Sequence, residues 1–136
     1  MKLKPLLRWA PAVLVMAVIF TLSATPGPDL PNFGLWDTLV KKGAHFLGYA
    51  LLALTYLYGL STQKGGHRVR PYLVAFALAI LYAVSDEYHQ SFVPGRHPSW
   101  VDAFLIDGSG AALSLWSAWL LQKKKSERLL THSENH

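Results

Sequence analysis

Four apolar runs alternate with short polar segments along the chain. The first extends from about Trp9 to Pro28, with no charged residue between Arg8 and Asp29. Its twenty residues, at about 1.5 Å each, make roughly 30 Å of helix, the thickness of a bilayer's hydrocarbon core. The second reaches from about Gly43 to Gln63. The third starts at Pro71, a favourable first helical position, and stays uncharged until Asp86. The fourth begins near Val101 and reaches Gln122, with Asp102 and Asp107 in its first turns. The third and fourth have only fifteen fully uncharged residues each, so they span if their polar ends lie at the interface or face protein. This pattern predicts an all-α integral membrane protein, a bundle of four antiparallel transmembrane helices. Residues 1–122 form the membrane domain, and 123–136 a basic and polar cytoplasmic tail expected to fray.

The connections fit that plan. Segment 61–70 is short and holds Gly65-Gly66, which makes the second and third helices antiparallel neighbours. Segment 26–36 carries Pro26, Pro28, Pro31, Gly27 and Gly34 and cannot be helical throughout. The basic start (Lys2, Lys4, Arg8) also resembles a signal peptide. The apolar stretch behind it is long for one, and Ser23-Ala24-Thr25-Pro26 is no clear cleavage site, so a retained helix is expected.

Charge then orients the bundle. With the N-terminus inside, the inner segments 1–8, 61–70 and 122–136 hold ten of the thirteen Lys and Arg residues. The outer segments hold Lys41, Lys42 and Arg96 with six of the eight acids. Both termini are therefore expected in the cytoplasm, and the protein in a bacterial plasma membrane as a multi-pass chain. The net charge of +5 sits in these flanks, not on a basic face interleaved with aromatics, so nucleic acid is not an expected partner. The chain lacks cysteine, which excludes disulfides, thiolate ligands and a cysteine nucleophile.

Three helix ends would point outward, and each carries ionisable groups. At the start of the second helix His45 and Tyr49 share a face, with Leu52 and Tyr56 below and Lys42 one turn before. The lysines can also anchor at headgroups, and Tyr49 can simply pack. At the end of the third helix Asp86, His89 and Gln90 share a sector, above Tyr82 and a stripe of Ala75 and Ala79 that marks a helix-packing face. Glu87 lies about 100° round, towards a neighbouring groove. A turn follows with the breaker pair Pro94-Gly95 and a projecting Arg96. Ser99 can cap the fourth helix, with Asp102 as a capping-box acid. Asp107 is too deep to be a cap, and Gly108 and Gly110 behind it point to close helix contact.

Lys42, His45, Tyr49, Asp86, Glu87, His89, Gln90, Arg96, Asp102 and Asp107 thus gather near one plane as candidate ligand-binding residues. Four acids at that depth need Lys42, Arg96, a protonated histidine, shared protons or a cation. A structural ion-pair network satisfies this; so does a functional site.

Lys42-x-x-His45-Phe46-x-x-Tyr49, then Ser85-Asp86-Glu87-x-His89-Gln90-x-Phe92-Val93-Pro94-Gly95-Arg96, then Asp102 and Asp107 before Gly110, resemble the VanZ-like family of bacterial membrane proteins. Phe20-x-Leu22-Ser23 ahead of Pro26-Gly27 is similar to the end of that family's first helix. The resemblance covers about residues 13–120. It implies a helical membrane domain and a link to low-level resistance to the glycopeptide teicoplanin. In the family's pattern the second acid or Asn of the fourth helix follows the first Asp by four. Here Asp102 and Asp107 are five apart, about 140° on an ideal helix. Either a helical bulge realigns them or Asp107 serves another contact.

The favoured expectation is an outward polar basin that binds or shields a cell-envelope ligand, such as a headgroup, a lipid-linked cell-wall precursor, a basic ligand or the glycopeptide. Lys42 and Arg96 would pair with phosphate. The alternative is a membrane-embedded enzyme acting on a lipid or lipid-linked precursor, with His45, Asp86, Glu87, His89 and Asp102 as catalytic candidates. The sequence names no cofactor; a divalent cation suits the nitrogen and oxygen donors. No H-E-x-x-H, G-x-S-x-G or Walker pattern occurs, which favours binding. Acids at only one end offer no evident relay for transport.

Overall fold

The computed structural model describes residues 6–61 and 68–134. Among them all regular structure is helical, in four helices. Helix α1 is Ala10–Ala24, α2 Asp37–Leu60 and α3 Arg70–Gln90. Helix α4 opens with the turn Trp100–Asp102, passes through a π-helical turn at Ala103–Asp107 and continues as Gly108–Glu134. Helix α2 is central: it packs most extensively on α4, then on α3 and α1. The Gly65-Gly66 turn between α2 and α3 lies outside the described residues.

The interior is built from small side chains. Ala12, Ala53, Ala75, Ala79, Ala83, Ala103 and Ala111 are buried, with Tyr49, Leu52, Tyr56 and Leu115 filling between them. The large aliphatics face outward instead: Leu14, Val18 and Phe20 on α1, Leu47 and Leu51 on α2, Leu73 and Leu81 on α3, and Leu105 and Leu113 on α4 are all exposed. A soluble domain rarely shows so wide an apolar surface. Between membrane helices lipid supplies no hydrophobic drive, so small residues that let backbones approach dominate the contacts. Two helical stretches, Gly34–Leu60 and Trp100–Leu129, are long and apolar enough to cross a bilayer.

Element boundaries shift for local reasons. The expected run to Pro28 is cut to the 15 residues of α1, because Thr25 precedes Pro26 and is pushed to extended backbone, φ −72° and ψ 125°. Pro26 to Trp36 is non-helical apart from two 3₁₀ turns, Gly27–Asp29 and Gly34–Trp36. Helix α2 starts at Asp37, ahead of the apolar run, because the Asp37 carboxylate accepts the Phe33 N–H (3.2 Å) and pairs with Lys41 (2.7 Å). An acid in the first turn also suits the helix dipole. Helix α4 does not fray after Gln122 but continues to Glu134. Its Lys, Arg, Glu and Leu residues are good helix formers.

Two close approaches fix the frame. The Gly27 N–H donates to the Pro94 carbonyl (3.0 Å), and Gly95 turns with φ +70°, a left-handed conformation that favours glycine. A Cβ on Gly27 would stand 2.1 Å from the Gly95 carbonyl oxygen. Likewise a Cβ on Gly110 would stand 2.2 Å from the Phe46 carbonyl oxygen, so α2 and α4 touch there backbone to backbone. Gly110→Ala is therefore expected to destabilise the detergent-solubilised protein by about 1–3 kcal/mol, read as a lower melting temperature. Gly43→Ala, where a Cβ meets nothing within 4 Å, is expected to leave it unchanged or slightly raised.

Candidate functional site

One end of the bundle holds a polar basin of about 400 Å³. Helix α2 contributes Asp37, Thr38, Lys41, Lys42 and His45, whose spacing repeats on one helical face. Helix α3 contributes Glu87 and Gln90, and α4 contributes Asp102, Ile106 and Asp107. Arg96, His97 and Ser99 complete the wall from the α3–α4 turn. Seven of the ten expected residues line the basin: Lys42, His45, Glu87, Gln90, Arg96, Asp102 and Asp107.

The carboxylates are not equivalent. Asp102 pairs with Lys42 at 2.8 Å across the α2–α4 interface, both partly exposed. Such a pair contributes about 0–1 kcal/mol. Asp107 is 2% exposed, with Oδ1 3.4 Å from His45 Nδ1. That is ion-pair range, yet Oδ1 has no hydrogen-bond partner. Glu87, also buried, accepts the Ser99 N–H through Oε2 at 2.6 Å.

The π-helical turn explains how two acids five residues apart reach partners on one face of α2. The Gly108 N–H bonds back to the Ala103 carbonyl, five residues earlier. That turn absorbs one residue, so Asp102 and Asp107 relate as positions four apart would, about 40° rather than 140°. Their partners Lys42 and His45 are three apart, on one face of α2. Of the two alternatives the spacing left open, the bulge is the one present, and single π turns recur at functional sites.

The capping box is half formed. The Ser99 hydroxyl accepts the Asp102 N–H (3.2 Å). The reciprocal bond is replaced, because the Asp102 carboxylate goes to Lys42 and the Ser99 N–H to Glu87.

Asp86, His89 and Gln90 do share a sector, and it faces α1. The Ser23 hydroxyl donates to Asp86 Oδ2 (2.8 Å), and the Gln90 amide donates to the same oxygen (3.0 Å). His89 lies against Phe20 with ring centroids 4.5 Å apart. Neither Asp86 nor His89 lines the basin. Beneath them the Tyr82 hydroxyl donates to the Met16 carbonyl (2.7 Å). Tyr49 is 1% exposed, its ring 6.2 Å from that of His45.

Arg96 holds α1. Its Nε–H donates to the Thr25 carbonyl at 3.0 Å and an Nη2–H to the Leu22 carbonyl. Both carbonyls belong to the C-terminal end of α1, and that of Leu22 also accepts the Thr25 N–H. Partial burial lowers the Arg96 pKa from its ordinary value, while Asp86 and Glu87 work in the other direction. A guanidinium stays charged across the physiological range regardless.

A second cavity, about 540 Å³ and mostly apolar, lies between α1 and α2. Leu14, Val18, Leu22 and Leu51 line it, with Tyr49 and Gly48 at its floor on α2. It shares Leu30, Lys41, His45 and Arg96 with the basin.

Ser23 is the residue whose role the motif pattern understates. Its signal is periodicity: it falls on the face of α1 that buries Ala12 and Ile19. Ser23→Ala removes a buried hydrogen bond to a carboxylate and is expected to cost about 1–3 kcal/mol, measured by thermal unfolding in detergent. The π turn is tested by deleting Leu105. The chain has no cysteine, so Lys42→Cys/Asp102→Cys and His45→Cys/Asp107→Cys pairs are free of background. Both pairs are expected to crosslink with and without Leu105, because the deletion returns α4 to regular α-helix with the acids four apart. Loss of the first crosslink on deletion would mean that something other than the extra residue aligns the acids.

No curated protein and no solved structure matches the chain. A family model described as VanZ/LLP1 matches residues 7–122, which takes in α1, α2, α3 and the membrane-length part of α4. The chain belongs to the VanZ/LLP1 family.

Proposed function

We propose that the chain crosses the plasma membrane four times with both termini in the cytoplasm. In this reading the polar basin opens on the outer side and binds an amphipathic cell-envelope molecule, its anionic headgroup in the basin and its chain in the groove between α1 and α2. The observation that carries this reading is the junction of the two cavities at Leu30, Lys41, His45 and Arg96. A polar site alone would suit many solutes. A polar site that runs into an apolar groove lined by exposed Leu14, Val18 and Leu51 suits a lipid or a lipid-linked cell-wall precursor entering sideways from the bilayer. Lys41 and Lys42 at the rim supply the cations for phosphate. Arg96 serves first to hold α1, and its remaining N–H donors add to the same rim.

The family's link to teicoplanin fits a protein that occupies or shields the precursor this glycopeptide seeks. The orientation is supported by the distribution of Lys and Arg.

An enzymatic reading has one observation in its favour: His45, Glu87 and Asp107 converge, with nitrogen and oxygen donors within 4.8 Å of one another. It predicts release of a product from a lipid phosphate or ester by the purified chain, abolished by Glu87→Gln.

Binding is tested by native mass spectrometry of the full chain in micelles carrying phosphatidylglycerol or a polyprenyl phosphate. Gly48 lines the groove, and a Cβ there meets only Ile19, at 3.8 Å. Gly48→Leu therefore fills the groove without a backbone clash. It is expected to weaken lipid retention by about tenfold, about 1.4 kcal/mol, with the melting temperature held. Retention that survives Gly48→Leu would remove the groove from the proposal. In cells, Lys42→Ala is expected to lower any teicoplanin tolerance the chain confers, and unchanged tolerance would count against shielding through the basin. A protease site placed after His136 is expected to resist protease added to intact cells and to be cut after lysis. Cleavage in intact cells would reverse the orientation.

A further inference from the structure

We propose that His45, Glu87 and Asp107 form a binding site for one divalent transition-metal ion of the zinc or manganese class. The three residues come from α2, α3 and the π turn of α4, and one donor atom from each lies within 4.8 Å of the others. The site does not depend on the lipid reading, and metal alone probes it.

The geometry of the His45–Asp107 pair carries the proposal. His45 Nδ1 and Asp107 Oδ1 are 3.4 Å apart, yet Oδ1, on a side chain 2% exposed, has no hydrogen-bond partner. A carboxylate oxygen left alone at that depth is costly. Two ligands about 2.1 Å from one tetrahedral ion lie about 3.4 Å from each other. The pair is thus spaced as two ligands of a common ion would be. Glu87 is held through Oε2 by the Ser99 N–H at 2.6 Å, the kind of outer bond that orients a ligating carboxylate.

Charge points the same way. In the metal-bound form two carboxylates and an unprotonated imidazole would carry −2, which one divalent ion cancels. None of the Lys or Arg side chains lining the basin is paired with Asp107 or Glu87. Lys42 pairs with Asp102, Lys41 with Asp37, and Arg96 caps α1. A mixed nitrogen–oxygen set selects zinc or manganese over calcium or magnesium, which take oxygen alone. All three residues line the basin, so the ion keeps open positions for water or for an oxygen of a bound anion.

The test uses the untagged full chain in detergent, stripped with chelator and titrated with Zn²⁺ and with Mn²⁺ by calorimetry and by equilibrium dialysis with elemental analysis. One equivalent is expected to bind, raising the melting temperature. Affinity is expected to fall as the pH is lowered, because protons compete with the metal for its ligands. Asp107→Asn and Glu87→Gln should each weaken binding by at least about 100-fold, the upper end of the cost of losing an outer-shell partner. Asp29→Asn, outside the basin, should not. Melting of the metal-free variants separates ligand loss from misfolding: a variant that melts like the metal-free wild type but gains nothing from metal supports the site. Sub-stoichiometric binding by the wild type, or one equivalent retained when both acids are replaced, overturns it.

Discussion

A carboxylate as deeply buried as that of Asp107 must be matched by whatever lies within a few ångströms, and much of this end of the bundle is arranged around that requirement. Asp107 reaches its position because α4 carries one extra residue in a π turn. His45 reaches the same point because α2 starts early, at Asp37, and Gly110 lets α4 lie on the backbone of α2 at Phe46. A side chain at position 110 would part the helices and leave the buried acid without its partner. The glycine contact and the buried charge are therefore one constraint seen from two sides.

The second acid of α3 extends the same logic outward. Asp86 and Glu87 are adjacent, yet they serve different interfaces. Asp86 ties α3 to α1 through Ser23 and Gln90, while Glu87 holds the start of α4 through the Ser99 N–H. Adjacent helical residues point about 100° apart, so one pair of acids sets the position of two neighbouring helices. Arg96 and the Gly27–Pro94 bond close the remaining side by fixing the end of α1 to the α3–α4 turn. The basin walls thus come from three helices, the α3–α4 turn and the α1–α2 connection at Gly27 and Leu30. That arrangement suits a preorganised site on rigid elements.

Much of this was legible in the residues before any coordinates. The shared face of Lys42 and His45, the separate sectors of Asp86 and Glu87, the alanine stripe of α3 and the cap at Ser99 all follow from helical spacing. The five-residue gap between Asp102 and Asp107 was legible as an anomaly, but its resolution was not. A bulge and a second contact fit the spacing equally, and only the packing of α4 on α2 chooses between them. The partners of Arg96 were hidden for a different reason. They are backbone carbonyls of Leu22 and Thr25, and a carbonyl carries no sequence signature. The end of α1 was misplaced because absence of charge to Pro28 outweighed the local effect of Pro26 on Thr25. The helical stretch beyond Gln122 was misplaced because charge was read as disorder where helix propensity favours continuation.

The alanine interior bears on the site as well. Small residues offer few atoms for contact, so each contributes less dispersion than a leucine would. What they permit is close helix approach, and close approach allows short polar side chains such as Ser23, Asp86 and Asp107 to meet across interfaces. The lower half of the bundle is sealed by tyrosines that donate to α1, Tyr56 to the Met16 sulfur and Tyr82 to the Met16 carbonyl. The buried carboxylates Asp86, Glu87 and Asp107 all lie at the other end. A ligand that reaches them must come from that end or sideways along the groove between α1 and α2. That restriction, more than any single residue, is the ground for proposing a ligand with both a charged head and an apolar chain.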